Sequence, residues 1–259
     1  MCNTKIATIV LGVTTALACA SGPSYAQTIA EVEPNDSIAS AQSITGGGVT
    51  INGSGDGTFD YFSFGIGSVT IDGAAVTTSG SFETTAGNFD TELFLYDSAG
   101  NLVAQDDDGG AGLLSLITQD FGSAGTYAIG VGEFNSVGSL GGITGNAPDA
   151  GDTYTLQVDI SGDTISTAYD LNPALADSSA TIVADGAGSF DYFGFDVFVS
   201  NATIDGVAAV TSGSFETTAG NFDTELFLYD SAGNLVAQDD DGGAGLLSQI
   251  TQDFGSSGS

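Results

Sequence analysis

Asn88-Phe-Asp-Thr-Glu-Leu-Phe-Leu-Tyr-Asp-Ser-Ala-Gly-Asn-Leu-Val-Ala-Gln-Asp-Asp-Asp-Gly-Gly110 is the stretch on which the fold turns. Leu93–Tyr96 and Leu102–Ala104 are strand-like runs, and Asp97-Ser98-Ala99-Gly100-Asn101 between them has the chemistry of a tight turn, so the stretch reads as a β-hairpin. Pairing Asp97 with Asn101 sets an antiparallel register with Glu92 opposite Asp106 and Asp90 opposite Asp108. That register gathers carboxylates at the open end of the hairpin.

The same letters return. Thr78–Ser115 and Thr211–Ser248 are identical at an offset of 133 residues, so the chain holds a tandem repeat. Around the first copy, Thr50–Ile51, Phe59–Phe64, Val69–Ile71, Ala74–Thr77, Ser81–Thr84, Thr126–Val131 and Thr153–Ile160 are strand candidates. Leu113–Phe121 suits a strand or a short helix. Phe59-Asp-Tyr-Phe-Ser-Phe64 carries apolar residues on both faces, as a strand in a sandwich interior does. With 39 glycines, many Thr and Val and no long helical periodicity, the fold class is all-β: two tandem jelly-roll-like sandwiches. The first occupies residues 27–161. The second, 162–259, begins without a linker, and Phe190-Asp-Tyr-Phe193 repeats Phe59-Asp-Tyr-Phe62. Counterparts of Thr126–Val131 and Thr153–Ile160 do not follow, so the second sandwich is expected to be incomplete at its C-terminus, with open β-edges that invite self-association.

Residues 1–26 form a separate object. Lys5, an apolar run from Ile6 to Ala20 and Ser24-Tyr25-Ala26 have the order of a secretory signal peptide cleaved after Ala26. A lipoprotein reading through Cys19 fits less well, because Leu17 stands one residue too close to the cysteine. No later run reaches the roughly 20 apolar residues that span a bilayer. The exported chain would carry all 33 acids and neither Lys, Arg, His, Cys, Met nor Trp. Internal salt bridges and disulfides are then excluded, and nucleic acid and anionic membranes are disfavoured partners, since both are held through Lys and Arg. Cations must come from outside. Catalysis is disfavoured as well: no His, Lys or Cys serves as base or nucleophile, and a serine without a basic partner is only a hydroxyl.

Four motifs in order resemble the bacterial pre-peptidase C-terminal domain family, in the subgroup of secreted proteins with a Phe-Asp-Thr-Glu-Leu-x-Leu-Tyr-Asp pattern. They are Glu31-x-Glu33-Pro34-Asn35-Asp36 followed by Ala41; Asp60-Tyr61-Phe62-x-Phe64; Asp90-Thr91-x-Leu93-x-Leu95-Tyr96-Asp97 with Gly100 and Asp106-Asp107-Asp108; and Gly125-Thr126-Tyr127 with Tyr154-Thr155-Leu156. The resemblance implies a secreted or cell-surface, non-catalytic jelly-roll sandwich, similar to the calcium-dependent collagen-binding domains of clostridial collagenases. It also implies a calcium site on Glu31, Glu33, Asn35, Asp36, Asp60 and Asp56. No peptidase sequence accompanies the motifs here.

Local chemistry adds a second candidate, because Asp90, Glu92, Asp106, Asp107 and Asp108 repel one another unless they share a proton or a cation. The expected function is an accessory or adhesive module for an extracellular protein or polysaccharide. The alternatives are a structural surface or matrix repeat protein, or the remnant of a secreted hydrolase. The duplication separates the two calcium candidates: a hairpin site should recur in both units, a lead-in site only in the first.

Overall fold

The computed structural model describes residues 4–11, 27–45, 47–163, 168–172, 179–185, 191–196, 203–204, 207–208, 211–220 and 222–254. Every regular element among them is a strand, and no helix is long and apolar enough to cross a membrane. The expected cleavage site at Ser24–Ala26 and the motif residue Phe190 lie outside the described residues.

The first unit is a β-sandwich of two five-stranded sheets. One runs in the order Leu102–Asp106, Thr91–Asp97, Gly125–Glu133, Asp60–Ile66, Gln42–Ser43. The other runs Leu116–Phe121, Thr78–Gly87, Thr153–Ile160, Val49–Ser54, Gln27–Ala30. Alternation along the strands sends Phe62, Phe64, Leu93, Leu95, Ile129 and Val131 from the first sheet against Ile51, Phe82, Leu156 and Val158 from the second, all of them buried. The first sheet is covered on its outer side too, where Tyr61, Phe94, Tyr96 and Ile143 form a smaller core with Ile38 and Leu102. Double coverage explains why Phe59–Phe64 reads as apolar on both faces and why Leu93–Tyr96 is an unbroken apolar run. The ambiguous Leu113–Phe121 resolves as the strand Leu116–Phe121, because pairing with Thr78–Gly87 satisfies its backbone and buries Ile117 and Phe121.

The opening hairpin forms where the sequence places it, with the Asp97 amide bonded to the Asn101 carbonyl at 3.0 Å and Asp97 Oδ1 accepting the Ala99 and Asn101 amides. Its register differs from expectation. A bulge at Val103 pairs Leu102 with Tyr96 but Ala104 with Leu95 and Asp106 with Leu93, so Glu92 is not opposite Asp106. One extra residue on the return strand shifts everything beyond it by one position.

In the second unit Gln249–Phe254, Thr211–Ala219, Thr4–Leu11 and Ser179–Asp185 lie side by side. The sheet then continues into the first unit's hairpin, Val69–Ile71 with Ala74–Val76. That hairpin turns through Asp72 and Gly73, both at positive φ, as a two-residue Asp-Gly turn requires. Asp72 Oδ1 accepts the Thr181 amide at 2.7 Å, and Tyr169 meets Thr78 through their hydroxyls at 2.9 Å, so adjacent units share hydrogen bonds as well as a sheet. Phe94 is fully buried, whereas its exact repeat Phe227 is 39% exposed. Phe94 packs beneath Gly138 and Leu102, and Gly125–Glu133 flanks its strand; among the described residues no strand takes that flank beside Leu226–Tyr229.

Candidate metal centre

The lead-in is tied to the sandwich before it delivers its acids. Gln27–Ala30 pairs in parallel with Val49–Ser54, and the Glu31 amide continues that ladder to the Asn52 carbonyl at 3.0 Å. Glu31 is thereby fixed at the sheet end, where its Oε2 accepts the Ser54 amide at 2.7 Å and its Oε1 accepts Asn35 Nδ2 at 2.9 Å. Glu33 Oε2 accepts the Asn35 amide at 2.9 Å, and the Asn35 carbonyl accepts the Tyr61 amide at 3.0 Å. Asp60, the first residue of its strand, lies directly beneath and is fully buried, as is Asn35.

Oxygens of Glu31, Glu33 and Asp60 come within 4.8 Å of one another. Two further facts distinguish this group from an ordinary acidic surface. Asn35 Oδ1 and Asp60 Oδ1 are buried and accept no hydrogen bond, although buried acceptors are normally satisfied. Burial, and after it the charge of Glu31, pushes the Asp60 carboxyl up to about 8. Glu33 is also raised, by burial first and then by Glu31, Asp56 and Asp36. Without a cation this is an energetically poor arrangement.

Tyr154 completes the floor, its hydroxyl 2.8 Å from Asp60 Oδ2 and 3.2 Å from Glu31 Oε1, so that its one proton goes to one or the other. Its motif was legible in the sequence, but its tie to the acids was not, since 94 residues separate it from Asp60. The ring crosses the sheet over Gly53, where an added Cβ would fall within the ring itself. Gly53→Ala should therefore displace Tyr154 and cost about 1–3 kcal/mol, the usual range for overpacking. Chemical denaturation of the variant checks this.

A second group, Glu33 with Asp36 and Asp56, stands at the solvent side and shares Glu33 with the first. Thr58 organises it: its amide donates to Asp56 Oδ1 at 2.9 Å, and its hydroxyl donates to Asp56 Oδ1 at 2.6 Å or to Asp36 Oδ1 at 2.9 Å. The Thr58 hydroxyl first, and then its amide, hold the Asp56 carboxyl below its usual range. Beside it a cleft of about 670 Å³ is lined by Asp36, Thr58, Phe59, Glu133, Asn146 and Asp149 among others.

At the hairpin, three of the five expected acids gather and two do not. Asp90, Asp107 and Asp108 bring their oxygens within 4.8 Å, and the same holds for Asp223, Asp240 and Asp241 in the repeat. Asp90 Oδ1 and Asp107 Oδ1 are buried without partners. Burial and then the charge of Asp108 raise both carboxyls. Asp106 instead braces the loop, its Oδ2 accepting the Gly109 and Leu116 amides at 2.8 Å each, and Glu92 Oε2 accepts the Ser136 amide at 3.0 Å.

A polar pin beneath this loop had no signal in the local residue pattern. Ser115 Oγ donates to the Thr91 carbonyl at 2.6 Å or the Asp107 carbonyl at 2.8 Å, and Thr84 and Thr91 share a hydroxyl bond of 2.7 Å, with Thr84, Thr91 and Ser115 all buried. Thr217, Thr224 and Ser248 repeat it. Ser115→Ala should cost roughly 1–3 kcal/mol by leaving buried acceptors unpaired. A similar loss from Ser248→Ala, read by denaturant unfolding, would show that both copies use the pin.

No family model and no curated protein matches the chain. Among solved structures, the pre-peptidase C-terminal domain of a collagenase from Bacillus anthracis is similar at 19% identity, over 50% of this chain and 100% of that one, with a TM-score of 0.31. It bears the name of the family that the four motifs resemble.

Proposed function

We propose that the chain is an exported, non-catalytic β-sandwich module whose first unit binds calcium through Glu31, Glu33, Asn35 and Asp60, and which acts as an accessory or adhesive domain. The observation that carries this reading is the pair of buried, unpartnered oxygens, Asn35 Oδ1 and Asp60 Oδ1, beside the carboxylates of Glu31 and Glu33. Calcium takes about 6 to 8 oxygen ligands and favours carboxylate and amide oxygens, the only donors this group offers. The bound ion would supply positive charge that no side chain from Gln27 onward can provide. The exposed group of Glu33, Asp36 and Asp56 is a candidate for a second ion, which Glu33 would bridge to the first.

The cleft beside Asp36 favours a particular kind of ligand. Glu133 and Asp149 line it, and Glu133 is raised by burial and then by Asp152, Asp149 and Asp90. A concave surface of that charge suits the Lys and Arg side chains of an extracellular protein better than an anionic polysaccharide. Binding there should weaken as salt is raised.

The test is thermal unfolding with calcium and with chelator. Calcium should raise the midpoint, and the double variant Glu31→Ala with Glu33→Ala should lose the shift. An unchanged midpoint in the parent chain would overturn the reading. One observation favours a structural repeat protein instead: the first unit's hairpin extends the second unit's sheet, so repeats are joined by backbone pairing. Sedimentation showing calcium-dependent polymers, with no ligand bound, would select that alternative.

A further inference from the structure

The second unit's sheet has a guest strand. In the first unit Thr153–Ile160 lies between Val49–Ser54 and Thr78–Gly87, antiparallel to both, with Val158 opposite Val49 and Phe82. In the second unit the position between Ser179–Asp185 and Thr211–Ala219 is held by Thr4–Leu11, again antiparallel to both, with Ile9 opposite Ala180 and Phe215. Phe215 is the exact repeat of Phe82, so Ile9 takes the register of Val158. The neighbouring pairs agree: Leu11 faces Gly213 as Ile160 faces Gly80, and Ala7 faces Ile182 as Leu156 faces Ile51. Position, direction and register of the guest all match the strand it replaces.

We propose that the second unit is a strand acceptor whose occupant is the N-terminal segment Thr4–Leu11, and that a chain lacking this segment takes the same peptide in trans. A sheet with its central strand removed exposes two unpaired edges and the apolar residues between them. Ala180, Ile182 and Phe215, all buried, belong to the core that this position closes. The occupant is an extended stretch in which five residues of eight, Thr4, Ile6, Thr8, Ile9 and Val10, are β-branched.

 β-branched residues favour the extended backbone that the position requires. The segment also lies inside the leader expected from the sequence, so cleavage after Ala26 would detach the strand and open the slot. Closure of the second unit would then depend on whether the leader is retained.

Hydrogen exchange on the full chain tests this. The amides of Thr4–Leu11 should exchange as slowly as those of Ser179–Asp185 and Thr211–Ala219. Ile9→Pro, which removes one donor from the middle of the guest strand, should speed exchange in those two flanking strands roughly tenfold or more. Val49–Ser54 and Thr78–Gly87 should be unaffected, because Thr153–Ile160 still lies between them. Excess synthetic peptide spanning Thr4–Leu11 should restore protection in the variant. Unchanged flanking rates in Ile9→Pro would overturn the proposal. If the variant loses the second unit altogether and the peptide does not restore it, the unmodified chain decides: amides of Thr4–Leu11 exchanging at free-peptide rates overturn the proposal, and amides as slow as their neighbours uphold it.

Discussion

Asp60→Asn should separate stability from calcium binding by moving them in opposite directions. Asparagine keeps the shape and one oxygen but removes the charge that burial and Glu31 oppose. In chelator at pH 8 or above the variant should be as stable as the parent or more so, because no carboxylate has to ionise in a fully buried position. Calcium affinity should fall roughly 100-fold, since ligand charge and its support tune affinity strongly. A merely structural Asp60 predicts another pattern, loss of stability with calcium affinity intact. Denaturant unfolding in chelator together with a calcium titration reads both quantities.

The second large effect is the pH dependence of the calcium response. Asp60 is raised from its ordinary value of 3.8 to about 8 in the fold. A carboxyl raised in this way favours the folded state fully below its unfolded value, and that contribution is lost as pH rises from about 4 through about 8. The metal-free chain should therefore lose stability across that window. If calcium binds Asp60 as proposed, it displaces the Asp60 proton below about pH 8, so its affinity should grow with pH, by at most tenfold per unit for one proton. At a calcium concentration about 100 times the dissociation constant the stabilisation is roughly 2.7 kcal/mol, which for a unit of this size is about 10 °C in the midpoint. Melting curves from pH 5 to pH 9, with calcium and with chelator, should diverge towards high pH. Parallel curves would remove Asp60 from the site.

Much of this was legible from letters alone. The hairpin turn at Asp97–Asn101, the strand run Leu93–Tyr96, the two-faced strand at Phe59–Phe64, and the proximity of Glu31, Glu33 and Asp60 follow from local pattern and from the family resemblance. The Val103 bulge did not, because a bulge answers to sheet twist and neighbouring strands rather than to its own residue type. For the same reason Asp106 and Glu92 could not be separated from Asp90, Asp107 and Asp108 in advance. All five are acids near one loop, and only the fold shows which two are occupied by backbone amides. Tyr154 and the guest strand Thr4–Leu11 depend on contacts between residues far apart along the chain, for which a short window carries no signal.

Calorimetric titration of calcium into the chelator-treated, folded chain at pH 7, repeated in two buffers of different ionisation enthalpy, tests the central claim most directly. The account predicts saturable binding, with close to one proton released as Asp60 ionises against the metal. A folded chain that shows no saturable heat, or that binds calcium without releasing a proton, would contradict it.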